Sequence, residues 1–318
     1  MAAPIQSVIA AGPPDEKVKD LSIVLVCWNN KAYLEPCLRS LYGGGLQNTF
    51  DVVVTDNGST DGSLEMLREE FPQVQVIRNG HNVGLGKASN QGIQATRGRY
   101  VLLLNNDTIV NGPSLDAMVD FLDHTPRAGA VGGKLLNPDG SLQACQNNFP
   151  SLRDEFFVAS RLGELIWKGY PSRPDGNQVT QTDWLGSACV MLRRAALDEV
   201  GLLDESYFIY GDEADLQYRL RQAGWQVWYL PSVTTIHYGG RSMDRWPRRK
   251  MVNRGKLLFF KKHYGPWQTF WLRGLLFILS LTKMLVWAAA WLYPGWRKRA
   301  QKELTSNLDV LQLCLRPI

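Results

Sequence analysis

The sequence predicts an α/β doubly wound sheet with helices on both faces, on three observations. Apolar runs rich in β-branched residues alternate with segments of helical spacing four times before Asp107. Three of those runs end abruptly in polar clusters: Trp28-Asn29-Asn30, Asp56-Asn57-Gly58 and Asn105-Asn106-Asp107. The chain has 318 residues, 45% hydrophobic and 20% charged, enough for a substantial core in one large domain or two small ones.

The elements follow in order. "LSIVLVCW" (Leu21–Trp28) reads as a strand covered on both faces, and "NNKAYLEPCLRSLY" as the helix after it. "FDVVVTDNGSTDGS" supplies a second strand ending at Asp56, and "GSLEMLREEF" a capped helix. "VQVIRN", "GKASNQGIQAT" and "GRYVLLLNND" give a third strand, a third helix and a fourth strand. Open α/β sheets bind ligands beyond the carboxyl ends of their strands, so the three polar clusters are expected to share one crevice. No G-x-G-x-x-G follows the first strand and no G-x-x-x-x-G-K-[ST] occurs, while "GLGKAS" has the wrong spacing. These absences argue against a dinucleotide dehydrogenase and a P-loop nucleotidase.

A net charge of +5 hides an asymmetry. From Arg241 to Lys302 there are fifteen Lys and Arg against one acid, Asp244, a local balance of +14 that leaves −9 for the remainder. An acidic body with a basic end argues against a nucleic-acid partner and for a separate anionic surface. Five scattered cysteines without C-x-x-C spacing read as reduced core thiols of a cytosolic protein. The first segment lacks a basic stretch and a long apolar run, so residues 1–19 are expected to be a disordered leader and not a signal peptide.

Several side chains are candidates for chemistry, each with a plainer alternative. Asp107 at a strand tip suits a hard divalent cation that bridges substrate phosphates, or else caps the next helix. Asp212, Glu213 and Asp215 open a helix that goes on to Arg219 and Arg221. One of these acids could take a proton from an attacking hydroxyl, or all three could serve the helix dipole. His237, in "IHYGGRS", reads as a metal ligand or a structural histidine. Trp184, before a Gly and a buried strand, makes sense as a plain core residue.

The motifs "SIVLVCWNN", "VVVTDNGSTDGS", "NVGLGKASNQGI", "GRYVLLLNNDT", "WLGSACVMLRRAALDEVGLLDESYF" and "GDEADLQYRLRQAGW" stand in the order seen in glycosyltransferase family 2. The sequence most resembles that family's bacterial rhamnosyltransferase-like branch, from about Leu21 to Ser242. The resemblance implies a GT-A fold, meaning a Rossmann-like sheet that binds a nucleoside-diphosphate sugar. It also implies a divalent metal (Mg²⁺ or Mn²⁺) and inversion at the anomeric carbon. It places Trp28 and Asn29 against the nucleoside and Asp56 at the base. Asn82, Lys87, Asn105, Asn106 and Arg241 complete the donor set, with Arg241 a phosphate partner. Asp107 becomes a metal ligand and His237 completes the metal shell. Trp184 and Gly186 fall in the acceptor floor, and acceptor specificity is expected in Gln143 to Thr180. The family's acidic pair aligns with Asp212-Glu213, which makes Glu213 the base, with Asp212 a contender because the order is reversed. Asn105 stands where the family commonly has the first Asp of D-x-D, one negative charge fewer.

This reading divides the chain into a leader (1–19), a catalytic domain (20–242) and a helical, membrane-associating region (243–318). In the last part, Arg273 and Lys283 interrupt a strongly apolar stretch. The uncharged runs Gly274–Thr282 and Met284–Trp296 are shorter than the roughly 20 residues that span a bilayer. A central Lys would cost about 2.5–3.5 kcal/mol there, whereas the flanking basic clusters gain about 1 kcal/mol per charge at anionic headgroups. Helices lying on the inner face of the cell membrane are therefore expected, ahead of one spanning segment. The implied activity is transfer of a sugar, with dTDP-rhamnose as first donor, to a saccharide or lipid-linked acceptor in cell-surface polysaccharide synthesis. The alternatives are a non-catalytic nucleotide-sugar-binding scaffold and a nucleotidyltransferase. The latter wants a Gly-rich basic loop after the first strand, which "CWNNKAYLEP" is not.

Overall fold

In the computed structural model the run LSIVLVC becomes strand β1 (Leu21–Cys27), buried at six of its seven residues. The structure describes residues 18–160, 162–166, 176–239 and 245–317, so the expected leader lies, up to residue 17, outside the described residues. The alternation read from the sequence continues through α1 (Lys31–Gly43), β2 (Phe50–Asp56), α2 (Ser63–Glu70), β3 (Gln75–Arg78), α3 (Leu85–Gln94) and β4 (Tyr100–Leu104). Then come β5 (Thr108–Ile109), α4 (Gly112–His124), β6 (Ala128–Leu136), β7 (Leu142–Gln143) and β8 (Gln146–Asn147). Two helices, α5 (Leu152–Ser160) and α6 (Leu162–Ile166), precede β9 (Thr180–Gln181), β10 (Trp184–Leu185), β11 (Cys189–Arg193), α7 (Arg194–Val200), α8 (Asp212–Gln222) and β12 (Gln226–His237). The chain ends in α9 (Arg245–His263), α10 (Gly265–Trp291) and α11 (Arg297–Leu315).

The main sheet runs β3-β2-β1-β4-β11-β6-β12-β5. Its first four strands are parallel, as the strand–helix alternation predicts, but β11 is antiparallel to both β4 and β6. Two reversals restore the direction, so β6 and β12 run parallel to one another and in the sense of β4. The carboxyl ends of β1, β2, β4 and β12 therefore lie along one edge. Close packing of α3 on this sheet needs glycine: a Cβ at Gly92 would sit 2.5 Å from Val24 Cγ1.

The chain forms two compact units. One takes in residues 18–147, 176–208 and 213–239, and the other residues 148–160, 162–166, 209–212 and 245–317. A boundary at 242/243 thus leaves out segments that the C-terminal unit claims. The reason is packing: Glu155 of α5 accepts from Lys256 Nζ of α9 at 2.6 Å, and the Phe149 and Phe259 rings stack at 6.3 Å.

Within the second unit, α10 is one uninterrupted helix of 27 residues, about 40 Å at 1.5 Å per residue. Its buried side is Thr269, Leu272, Leu276 and Ser280, while Trp267, Phe270, Trp271, Ile278, Leu281 and Leu285 are exposed. Among the described residues it is the one helix long and apolar enough, by composition, to cross a membrane. The charges that interrupt the apolar stretch are turned inward. Arg273 Nη1 donates to the Cys314 and Arg316 carbonyls at 2.8 Å, closing the end of α11, and Lys283 lines an internal cleft. The insertion cost assigned to these charges from the sequence therefore does not fall on the exposed face. All five cysteines are buried free thiols.

Arg219 ties α8 to the end of α7 by donating to the carbonyls of Val200, Gly201 and Leu202 at 2.6, 3.2 and 2.7 Å, and it pairs with the fully buried Asp215 at 2.9 Å. Replacing it strips this cation from a carboxylate already removed from water. Arg219→Met is expected to destabilise the fold by about 3 kcal/mol, read as a lower urea midpoint at unchanged slope. A variant as stable as the parent would show that the pair holds nothing.

Candidate active site

The site is built at the sheet edge where β1, β2, β4 and β12 end. At the tip of β1, Trp28 is 47% exposed and Asn29 adopts a left-handed backbone, φ 51°. The Asn29 side chain holds that conformation by accepting from Thr60 N at 2.7 Å, and its own N–H donates to Ser59 Oγ at 2.9 Å. Asp56, at the tip of β2, is 1% exposed. Its Oδ2 closes the D-N-G-S turn, accepting from Gly58 N and Ser59 N at 3.0 and 3.1 Å. Its Oδ1 is buried with no hydrogen-bond partner among the described residues. One carboxylate thus fills the turn role and keeps an acceptor for another donor group, such as a base N–H.

Asn82 and Lys87 flank the start of α3. Asn82 Oδ1 accepts from Gly84 N at 2.9 Å, a turn role, while Lys87 is exposed on the first helical turn. Gly84, at φ 92°, is needed because a Cβ would lie 2.7 Å from the Phe208 carbonyl, to which Leu85 N donates.

At the tip of β4, Asn106 Nδ2 donates to the Val26 carbonyl at 2.7 Å, and its Oδ1 accepts from Asn30 Nδ2, clamping the turn to β1. Beneath it, Cys37 Sγ lies 3.6 Å from Thr108 Oγ1, and burial pushes this thiol up to about 12, so it stays neutral. Asp107 is 5% exposed. Pairing of β12 with β5 sets His237 opposite Thr108 and brings its Nε2 to 3.3 Å from Asp107 Oδ1 and 3.4 Å from Asn105 Nδ2.

Gln143 decides what that contact is. Its Nε2 donates to Asn137 Oδ1 at 2.7 Å and to the His237 carbonyl, which fixes the amide so that Oε1 faces His237 Nδ1 at 2.9 Å. Nδ1 is therefore the N–H, and in the neutral ring Nε2 presents a lone pair toward a carboxylate oxygen. Asn105 Nδ2 is close enough to donate to that lone pair, and a cation held by both Nε2 and Asp107 Oδ1 would take the place of that contact. Among the described residues no group of three or more His, Cys, Asp or Glu comes together. Asp107 and His237 would thus hold a divalent ion with most of its shell left to phosphate and water, which is how Mg²⁺ is commonly bound.

The acidic cluster divides. Asp215 is ion-paired to Arg219 and serves the fold; Asp212 is 2% exposed, and Glu213 is partly exposed at the start of α8. Gln217 of α8 clasps β10 in both senses, accepting from Leu185 N and donating to the Leu185 carbonyl, each at 2.8 Å. That clasp joins the helix that opens at Glu213 to the strand that carries Trp184, half-buried; Gly186 follows that strand, and an added Cβ there would meet open space. Arg241 lies outside the described residues. The sequence reading gave no individual role to Gln143, which only bounded the acceptor segment, or to Gln217 within "GDEADLQYRLRQAGW", because a single glutamine carries no signal of its own.

Comparison with known proteins gives the family and the fold. The sequence model of the family described as Glycosyl transferase family 2 matches residues 22–201. The N-acetylglucosaminyl-diphospho-decaprenol L-rhamnosyltransferase of Mycobacterium tuberculosis is 30% identical over 272 residues, covering 78% of this chain and 86% of that protein. The O-antigen biosynthesis protein RfbC of Myxococcus xanthus is 30% identical over 217 residues, 64% of this chain and 16% of that one. The mannosyltransferase PcManGT of Pyrobaculum calidifontis, solved with GDP-Man and Mn²⁺, superposes with a TM-score of 0.55 at 16% identity, over 94% of this chain and 88% of that one. TarS of S. aureus in complex with UDP gives 0.52 at 15% identity, over 93% and 90%. The fold is GT-A, the architecture of sugar-transferring enzymes. The chain belongs to glycosyltransferase family 2 and is a glycosyltransferase.

Proposed function

We propose that this enzyme transfers a sugar, rhamnose from dTDP-rhamnose being the first candidate, from a nucleoside-diphosphate sugar to a saccharide carried on a lipid diphosphate, in cell-surface polysaccharide synthesis. The observation that carries the reading is the Asp107–His237 pair, whose Oδ1 and Nε2 would both hold a cation on a diphosphate at the sheet edge. The mycobacterial relative's name supports the sugar and the acceptor class. The Asp56 Oδ1 atom supports a nucleoside base as the other anchor of the donor.

In this reading the acceptor hydroxyl attacks the anomeric carbon from the side opposite the diphosphate. One C–O bond forms as the other breaks, and the configuration inverts. Glu213 takes the hydroxyl proton, and Gln217 keeps α8 where that carboxylate meets the acceptor. Asp107 and His237 would hold Mg²⁺ or Mn²⁺, which offsets the charge gathering on the departing diphosphate. Trp28 and Asn29 bound the nucleoside, Asn82, Lys87, Asn105 and Asn106 the rest of the donor, and Trp184 and Gly186 the acceptor.

Membrane attachment is part of the proposal, supported by the exposed apolar side of α10. The exposed side of α10 is free of charged residues from Trp267 to Tyr293, while its other side is sealed against α11, which bears Glu303 and Asp309. In this reading the helix lies in the interface, with its exposed apolar side toward the lipid and the charged partner helix α11 on its other side. We place the enzyme on the inner, cytoplasmic face of the membrane, where soluble nucleotide sugars and lipid-borne acceptors meet.

The test is donor hydrolysis across a panel of nucleotide sugars, with and without Mn²⁺, followed by transfer to diphospholipid-linked saccharides. Selective, metal-stimulated hydrolysis of dTDP-rhamnose is expected. Equal hydrolysis of all donors, or none of any, would refute the reading.

A further inference from the structure

The turn between β6 and β7, "NPDGS" (Asn137–Ser141), plays no part in the sugar-transfer chemistry described above. Pro138 and Gly140 make it a tight β-turn: Gly140 N donates to the Asn137 carbonyl at 2.9 Å, and Gly140 takes φ 81°. Pairing of β7 with β6 sets Gln143 opposite Leu135, and pairing of β6 with β12 sets Leu136 opposite Ile236. The turn, Gln143 and His237 are thereby neighbours within the unit that holds the sheet.

The hydrogen bonds that join them run in one direction. The Asp139 carboxylate can only accept, and the Ser141 hydroxyl and N–H donate to its Oδ1 at 2.6 and 2.9 Å. Those two bonds hold it below the usual carboxylate range. With its hydrogen committed, Ser141 Oγ accepts from Asn137 Nδ2 at 2.9 Å. That turns Asn137 Oδ1 toward Gln143 Nε2, at 2.7 Å. The second hydrogen of Gln143 Nε2 goes to the His237 carbonyl, which leaves Oε1 facing His237 Nδ1 at 2.9 Å. Reversing either amide would set acceptor against acceptor and donor against donor.

The direction matters because the other ring nitrogen has a competing partner. His237 Nε2 lies 3.3 Å from Asp107 Oδ1, and a carboxylate beside an imidazole nitrogen draws the hydrogen onto that nitrogen. A ring with its hydrogen there would present an N–H where the cation has to bind. We propose that Asn137 is a positioning residue for His237. Acting through Gln143, and directed by Ser141 and Asp139, it holds the ring hydrogen on Nδ1 and keeps Nε2 open. The inference rests on the proposed part of His237 in holding a cation and deepens it: the tautomer is set from a turn whose Asp139 is exposed.

The test is long-range ¹H–¹⁵N correlation NMR of the labelled full-length protein without metal or donor, at about pH 8.5, where an ordinary imidazole is neutral. The nitrogen shifts show which nitrogen of each ring carries hydrogen, and His237→Gln identifies this ring among the four histidines. In wild-type protein the hydrogen is expected on Nδ1. Asn137→Leu, which removes the acceptor for Gln143, should move much of it to Nε2. Asn137→Asp still accepts from Gln143 Nε2 and should keep it on Nδ1. Calorimetry gives a second readout: Asn137→Leu should weaken Mn²⁺-dependent binding of dTDP about tenfold and leave metal-free binding unchanged. If thermal unfolding shows that Asn137→Leu has lost its fold, Ser141→Ala decides, with a shift of the ring in the same direction expected. A wild-type ring with hydrogen on Nε2, or variants whose ring matches wild type, would overturn the inference. So would an Asn137→Asp that moves the ring as far as Asn137→Leu, since Asn137 would then serve only the turn. The ring is read without donor, metal or turnover, so failure of donor hydrolysis overturns the proposed function separately.

Discussion

Glu213→Gln is expected to lower kcat by about 10²–10⁴-fold with little change in donor binding, because the amide keeps the shape of the side chain and loses its proton affinity. The carboxylate sits partly exposed at the start of α8, which Gln217 holds to β10 through two 2.8 Å bonds with Leu185. Its neighbour Asp212 is only 2% exposed. Asp212→Asn should therefore cost less in kcat. Asp215→Asn should act on stability instead, since that carboxylate is paired with Arg219. Rates of all three variants at saturating donor separate these roles. A larger loss of kcat in Asp212→Asn than in Glu213→Gln would move the base one residue upstream.

Asp107→Ala is expected to abolish transfer and to weaken Mn²⁺-dependent binding of the nucleoside diphosphate by more than about 100-fold. The variant loses one of the two protein groups that would hold the ion. Gln143→Ala acts one step further out. It frees His237 Nδ1 from its 2.9 Å acceptor, so the ring can present the wrong nitrogen. Loss of such an orienting partner typically costs about 10–100-fold in metal affinity. Calorimetric titration of the nucleoside diphosphate, with and without Mn²⁺, reads both variants without turnover. Binding that ignores the metal in wild-type protein, or is unchanged in Asp107→Ala, would sink the assignment.

Much of the site was legible because strand tips announce themselves. An apolar run that stops at Asn105-Asn106-Asp107, or at Asp56, marks both a buried strand and the polar edge where it ends. The helical spacing between these runs implied parallel neighbours, and β1, β2 and β4 pair in that way. The nature of the sheet beyond β4 was not legible. Whether β11 runs with or against its neighbours depends on packing of segments far apart in the chain, and no local period records it.

The acidic cluster shows the same division. Three acids opening one helix look alike in sequence, yet Asp215 turns to Arg219, and Glu213 remains partly exposed. The tail shows it again. Arg273 and Lys283 look like breaks in a membrane segment until the helix turns them toward α11 and the cleft, leaving the opposite side uncharged.

The sequence by itself determined the first four strands, their polar ends, the family and the basic, aromatic character of the tail, since each rests on residues that are neighbours in the chain. Only the tertiary structure decided that His237 meets Asp107, that Gln143 sets its tautomer, and that two glutamates hold cations around a cleft. Those contacts join distant residues, and the direction of a strand or the rotation of a helix about its axis is settled by what each buries.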